Sequence, residues 1–297
     1  MPARQRLQAA QPRLTVTDVS EAEVAAVLQH GELTLEGRLV PASNASFYGE
    51  VTLDGVALPC VYKPVRGERP LWDFPHGSLA GREVAAYAVA QLAGWLVVPP
   101  TVLGDGPFGP GMLQQWIEGG PEEGSGERPD EGTIEGTATL LVDLVGRRDI
   151  PAGWLHVLDA VDAYDDLVSL VHADDPTLRS MAVFDAAVNN ADRKGGHVLV
   201  GRGGAVRGCD HGVTFHIEDK LRSVLWGWAG RPLVDADREA LTRLSCALRQ
   251  TATEVRLGEL LRSDEVVQLR RRVDRLLRTG RHPRPSPGWP AIPWPAF

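Results

Sequence analysis

The sequence has no long apolar run. Nowhere in its 297 residues do about eighteen apolar residues follow one another, so a membrane-spanning helix is not expected. The first twenty residues, MPARQRLQAAQPRLTVTDVS, lack the continuous apolar core of a secretory signal. Cysteine is scarce. Cys60, Cys209 and Cys246 are scattered, odd in number, and form no CxxC pair. A disulfide framework and a zinc pattern are thereby excluded, and buried, reduced thiols in the cytoplasm are the plain expectation. Basic charge is not in excess either. The formal net charge of -8 argues against a nucleic-acid binder, whose footprint is basic. No internal repeat is visible. What remains is the composition of a globular chain, 43% apolar, long enough for one large domain or two lobes with a substantial core.

Local signals then divide the chain. Ser20 and Glu23 form a capping box, and a short helix should run to about His30. From Glu32 the pattern turns to strands, at Glu32–Val40, Phe47–Leu53 and Ala57–Tyr62. Asp54-Gly55 between the last two is a hairpin signal. Ser78 can cap a helix that Gly94 stops, with Ala85, Ala88 and Leu92 as its apolar stripe. Two short strands follow, Pro100–Leu103 and Met112–Ile117. The pattern beyond residue 136 predicts mainly helices: Thr137–Val145, Trp154–Val171, Pro176–Val188, Asp235–Gln250, Val255–Leu261 and Ser263–Thr279. These signals give an N-terminal lobe at 1–117, a flexible acidic connection at 118–136 and a helical lobe at 137–281. A proline-rich tail at 282–297 should lie extended.

The chemistry-bearing residues gather at 189–212, NNADRKGGHVLVGRGGAVRGCDHG. Asp192, Lys194 and His197 stand on a loop after a helix. Val198–Val200 and Ala205–Arg207 are strand candidates around the turn Gly203-Gly204, and Asp210 follows. A hairpin would hold its two ends close, as a site with two carboxylates requires. Upstream, Lys63 ends a strand and Glu83 lies on a helix; taken alone, either reads as a solvated charge. Trp226-Gly227-Trp228 reads as core, or as a platform for an apolar or sugar-like substrate. The arginines 270, 271, 272, 275 and 278 read as the solvated face of a terminal helix, with anionic lipid as the sharper alternative.

In this order the motifs resemble the phosphatidylinositol 3-/4-kinase-related atypical kinases, a branch of the protein-kinase-like superfamily. Asp192-Arg193 followed by His197, then Asp210-His211-Gly212, looks like that family's Asp-Arg-x-x-x-Asn and Asp-x-Gly loops. Arg82-Glu83-Val84-Ala85-Ala86-Tyr87 and Val98-Pro99-Pro100-Thr101 are similar to segments of the type II phosphatidylinositol 4-kinases and their bacterial relatives. The resemblance covers about residues 40–230. It implies an α+β, bilobal, protein-kinase-like fold: a small antiparallel-sheet N-lobe with one main helix, and a mostly helical C-lobe.

The resemblance further implies ATP and Mg2+ as cofactors. Asp192 would be the catalytic, hydroxyl-orienting carboxylate, and Lys194 would sit near the transferred phosphate. His197 and Asp210 would hold the metal, and Lys63, paired with Glu83, would bind the α- and β-phosphates. His197 stands where asparagine is usual, and an imidazole suits Mn2+ better than Mg2+. No GxGxxG loop precedes Lys63. Ser43, Asn44 and Ser46 stand in its place as phosphate donors, or form an ordinary polar turn. Gln115 and Trp116 fall where backbone groups would meet adenine. The implied partners are a nucleotide and a hydroxyl acceptor on a small molecule, lipid head group or protein, with no nucleic acid. A nucleotide-binding pseudokinase, or nucleotidyl transfer on the same fold, stands as the alternative.

Overall fold

The structure, a computed structural model, describes residues 20–39, 44–74, 78–119, 141–161 and 165–297. Helix α1 (Glu21–His30) starts at Ser20, whose side chain accepts from the Glu23 N–H while Glu23 reaches back to the Ser20 N–H. Strands β1 (Glu32–Arg38), β2 (Phe47–Leu53) and β3 (Val56–Pro64) follow. Asp54 and Gly55, with φ of 48° and 83°, make the β2–β3 turn, the conformation that an Asp-Gly pair supplies at low cost. Helix α2 (Leu79–Ala93) lies between Ser78 as N-cap and Gly94 in the left-handed region, as the sequence predicts. Strands β4 (Thr101–Gly106) and β5 (Gly109–Gln115) complete a five-stranded antiparallel sheet of order β1-β2-β3-β5-β4.

Strand β3 sets the direction of the key lysine. Leu58, Cys60 and Tyr62 are buried and pack with Val24, Val27 and Leu28 of α1. The two-residue period of a strand turns Lys63 to the other face, away from α1.

The second half departs from the expected string of helices. Three strands, β6 (Val142–Gly146), β7 (Trp154–Val161) and β8 (Leu167–Ala173), form an antiparallel sheet in the order β6-β8-β7. The helices expected at Thr137–Val145 and Trp154–Val171 are thus corrected to strands; residues 137–140 lie outside the described residues. Val142, Val145, Val157, Val161, Val168 and Val171 are β-branched and fit a pleated surface better than a helix. Helices α3 (Pro176–Val188), α4 (Asp235–Ala247), α5 (Thr251–Gly258) and α6 (Ser263–Thr279) follow, close to their expected bounds. Between α3 and α4 the short strands β9 (Val198–Val200) and β10 (Val206–Gly208) pair antiparallel as expected.

The α+β, two-part architecture is therefore the one observed, with an antiparallel sheet first and a largely helical part after it. The larger core runs through α2, α3, α4 and α6. The alanines of α2 at 85, 86, 88, 90 and 93 are all buried, and their short side chains let neighbouring helices approach closely. A buried ion pair, Arg82 Nη2 to Glu265 Oε1 at 2.6 Å, ties α2 to α6. So α2 touches the first sheet while its buried face belongs to the core of the second half.

The tail is irregular, and Ile292 and Ala296 pack on the larger core. Trp228 is buried and donates to Asp174, so the core reading of that tryptophan holds. Cys246 is exposed, against the expectation that all three thiols are buried. Arg272 also departs from expectation, being 3% exposed. No described helix is long and apolar enough to cross a membrane.

Candidate active site

Four elements bring the predicted charges together. Lys63 comes from the end of β3, Glu83 from the first turns of α2, and Asp210 from the loop after β10. Asp192, Lys194 and His197 come from the loop between α3 and β9. All six line a cavity of about 340 Å³, which Asn44 and Ser46 also line.

Lys63 lies between two carboxylates. Its Nζ is 3.1 Å from Glu83 Oε1 and also bonds Asp210 Oδ1. The Glu83 carboxylate is buried, and its Oε2 accepts the His211 N–H at 2.8 Å. Burial opposes the charge on Lys63, but Glu83 and Asp210 outweigh it and hold the lysine pKa above its ordinary value. Lys63 in turn holds Asp210 well below the usual carboxylate range. Burial pushes Glu83 upward, against the pull of Lys63. One lysine shared by two carboxylates leaves the group short of positive charge.

His197 faces the same cluster. Its Nδ1 is 2.8 Å from the Asp192 carbonyl oxygen. A carbonyl only accepts, so Nδ1 carries the proton. Burial lowers the His197 pKa to about 4, which makes the ring neutral at pH 7. Its Nε2 lone pair then points toward Asp210 Oδ2, 3.4 Å away. Two lone pairs in that relation call for a cation between them, and two cis ligands of an octahedral ion about 2.1 Å from each would be about 3 Å apart. No three His, Cys, Asp or Glu converge on a metal geometry among the described residues. A pair of protein ligands nevertheless fits an ion whose remaining positions go to water and phosphate oxygens. The donor set therefore fits a divalent ion of this kind.

Asp192 is partly exposed, with Lys194 Nζ at 3.6 Å from Oδ2. Burial raises its pKa while Lys194 and Arg222 oppose the rise. The Asn190 side-chain oxygen accepts the Asp192 N–H at 3.0 Å and fixes the turn. On the opposite wall, Asn44 Oδ1 accepts the Arg69 N–H at 2.8 Å, and Ser46 is buried. Ser43 lies outside the described residues. Gln115 and Trp116 do not line this cavity, and their N–H groups already donate to Pro100 and Pro59.

The residue that organises the site is Arg193, to which sequence reasoning gave no role. It is fully buried. Nε and Nη2 each meet an oxygen of the buried Asp185 at 2.9 Å. Nη1 donates to the carbonyls of His197 at 3.2 Å and Cys209 at 3.1 Å, and Nη2 lies 2.8 Å from His211 Nε2. One guanidinium thus spans both loops and sets the distance between Asp192 and Asp210. Gly208 packs against it so closely that a Cβ there would meet Nη1 at 2.8 Å. The available signal was Asp185 itself, a lone carboxylate in the apolar run MAVFDAAV, which demands a buried partner.

The tail also reaches the site. The Gly195 N–H donates to the Ala296 carbonyl at 2.8 Å, and the Phe297 ring covers Gly195.

No protein-family model matches the chain. It is 50% identical over 272 residues to Protein Rv2133c of Mycobacterium tuberculosis (strain ATCC 25618 / H37Rv), covering 92% of this chain and 95% of that one. Among solved structures it is similar to the Helicobacter pylori proinflammatory kinase CtkA. There the identity is 11% and the TM-score 0.39, over 86% of this chain and 94% of the other.

Proposed function

The chain belongs to the family of the mycobacterial Protein Rv2133c, and we propose that its cleft is the nucleotide site of an ATP- and divalent-metal-dependent phosphotransferase of the kinase type. One observation carries this reading. Lys63 is held between Glu83 and Asp210 on the wall of a cavity that Asp192 and His197 also line.

In this reading residues 1–117 and 137–281 supply the two walls, joined by 118–136. Lys63 binds the α- and β-phosphates of ATP. That contact frees Asp210 from Lys63, so that Asp210 and His197 can hold Mg2+ or Mn2+. The chemistry such an ion supplies is neutralisation of charge on the phosphate oxygens. Asn44 and Ser46 cover the phosphates. Asp192 orients the acceptor hydroxyl and takes its proton. The new bond forms between that oxygen and the γ-phosphorus, the bond to the β–γ bridging oxygen breaks, and ADP leaves. Lys194 lies beside the transferred group. The fold does not fix the acceptor.

The imidazole at 197 favours a second reading, in which nucleotide binds without turnover, because magnesium prefers oxygen ligands. The test is incubation of the protein with labelled ATP and Mg2+ or Mn2+, beside Asp192→Asn and Asp210→Asn variants. Release or transfer of γ-label that both substitutions abolish supports the phosphotransferase. Tight binding with no turnover in either metal sinks it and leaves the second reading. Transfer of α-label alone would assign nucleotidyl transfer.

A further inference from the structure

We propose that a second, smaller cavity under α6 is a binding site for a phosphate group, apart from the cleft and independent of whether the cleft transfers phosphate. The cavity measures about 160 Å³, several times the roughly 30 Å³ share of one water. Arg272 and Arg275 of α6, Arg284 and Ser286 of the tail, Asn189 at the end of α3, and Asp219 line it.

Arg272 is the observation that points to an anion. The chain buries three arginines among its described residues. Arg82 pairs with Glu265, and Arg193 pairs with Asp185. Arg272 has no carboxylate within ion-pair distance among the described residues. Its Nε donates to the Ala187 carbonyl at 2.9 Å and its Nη1 to the His216 carbonyl at 3.1 Å. Nη2 is buried with no partner. Burial lowers the pKa of this guanidinium to about 10. Asp219 and Glu265 favour its charge only from beyond ion-pair distance, and a buried cation with no counter-charge in direct contact is costly and is ordinarily paired.

The rest of the lining strengthens the sign. Arg275 forms a two-point pair with Asp219, at 2.9 and 3.2 Å. Arg284 has no ion pair among the described residues. Three guanidiniums therefore meet one carboxylate. The Ser286 hydroxyl and the planar N–H edges of Arg272 and Arg284 are donors of the kind that recognise a tetrahedral dianion. The ligand class is inorganic phosphate or the terminal phosphate of a monoester.

The position gives the site a structural consequence. Asn189 Nδ2 donates to the carbonyls of His216 and Glu218, and Asn189 Oδ1 accepts the Lys220 N–H. An anion on Arg272 would brace the same segment, which follows the Asp210 loop, and would tie the tail to it through Arg284.

The test is titration of the full chain with sodium phosphate at constant ionic strength, read by calorimetry and by thermal unfolding. Arg275 and Arg284 are at the surface, so the pair Arg275→Gln and Arg284→Gln should fold; Lys63→Met is the control in the cleft. The expected result is saturable binding that the pair weakens by about tenfold and that Lys63→Met leaves unchanged. Equal affinity in the pair and the parent would overturn the proposal. So would binding lost in Lys63→Met, which would put the phosphate in the cleft, or an equal thermal shift with sodium chloride.

Discussion

Replacing Arg193 with methionine keeps most of the bulk and removes the charge. Asp185 would then hold a buried negative charge, with Asn190 Nδ2 at 2.9 Å as its remaining side-chain donor. Stranding one partner of a buried ion pair costs about 3–5 kcal/mol. The carbonyls of His197 and Cys209 lose a donor as well, at about 1 kcal/mol or more each. Set against a total stability of about 5–15 kcal/mol, Arg193→Met should sit near the edge of unfolding. Adding Asp185→Asn removes the stranded charge and keeps an acceptor for Asn190. The double variant should therefore recover about 2 kcal/mol of what the single one loses. It should not recover activity, because the two loops have still lost their common donor. Urea unfolding followed by tryptophan fluorescence reads this directly, since Trp95 lies against Phe184 of α3 at 6.0 Å. A loss below about 1 kcal/mol in Arg193→Met, or a double variant less stable than either single one, would refute the role assigned to the pair.

Three further outcomes are expected. Lys63→Met should weaken ATP binding while leaving the far-ultraviolet dichroism intact; unchanged nucleotide affinity would remove Lys63 from the site. Ala at position 195 would run into the Phe297 ring, whereas position 196 is open. Gly195→Ala should thus expose the tail to limited proteolysis and depress turnover, and Gly196→Ala should do neither. Acid should destabilise the fold through two buried histidines. His172 is held neutral, with Nε2 accepting the Gly227 N–H, and burial lowers its pKa. Burial likewise lowers His282 from 6.5 to about 4. Between those values the unfolded chain binds more protons, so the stability from His282 is present above pH 6.5 and fades as pH falls toward 4. For a group 4% exposed that is on the order of 3 kcal/mol. His282→Leu should flatten that part of the curve, and an unaltered slope would count against it.

Local signals gave the elements they govern. Ser78 and Gly94 bounded α2, and Asp54-Gly55 made its hairpin, because caps and tight turns are decided within a few residues. The order of Lys63, Glu83, Asp192 and Asp210 was legible too, and the structure brings all four to one cavity. The β6–β8 sheet was not, since an apolar run such as Leu167–Ala173 fits either period until its partners are known. Arg193 and Asp185 are eight residues apart across a helix end, and only the folded chain shows that they meet. Arg272 is a different case. It lies three residues after Leu269 and four before Leu276, on the buried stripe of α6. The helical period already placed it inward, and its charge overrode that signal.

Glu83 rides on a helix whose buried face belongs to the larger core, so a motion that carried α2 outward would have to break that core. The lysine partner is thereby fixed to the most robust part of the molecule, and any adjustment of the cleft falls to the sheet that bears Lys63. Fitness for folding and fitness for alignment are then written in the same residues. A substitution such as Ala85→Leu, remote from any ligand, would overpack the core by about 1–3 kcal/mol and shift Glu83 with it. It would register as a fault in the site although it touches nothing there.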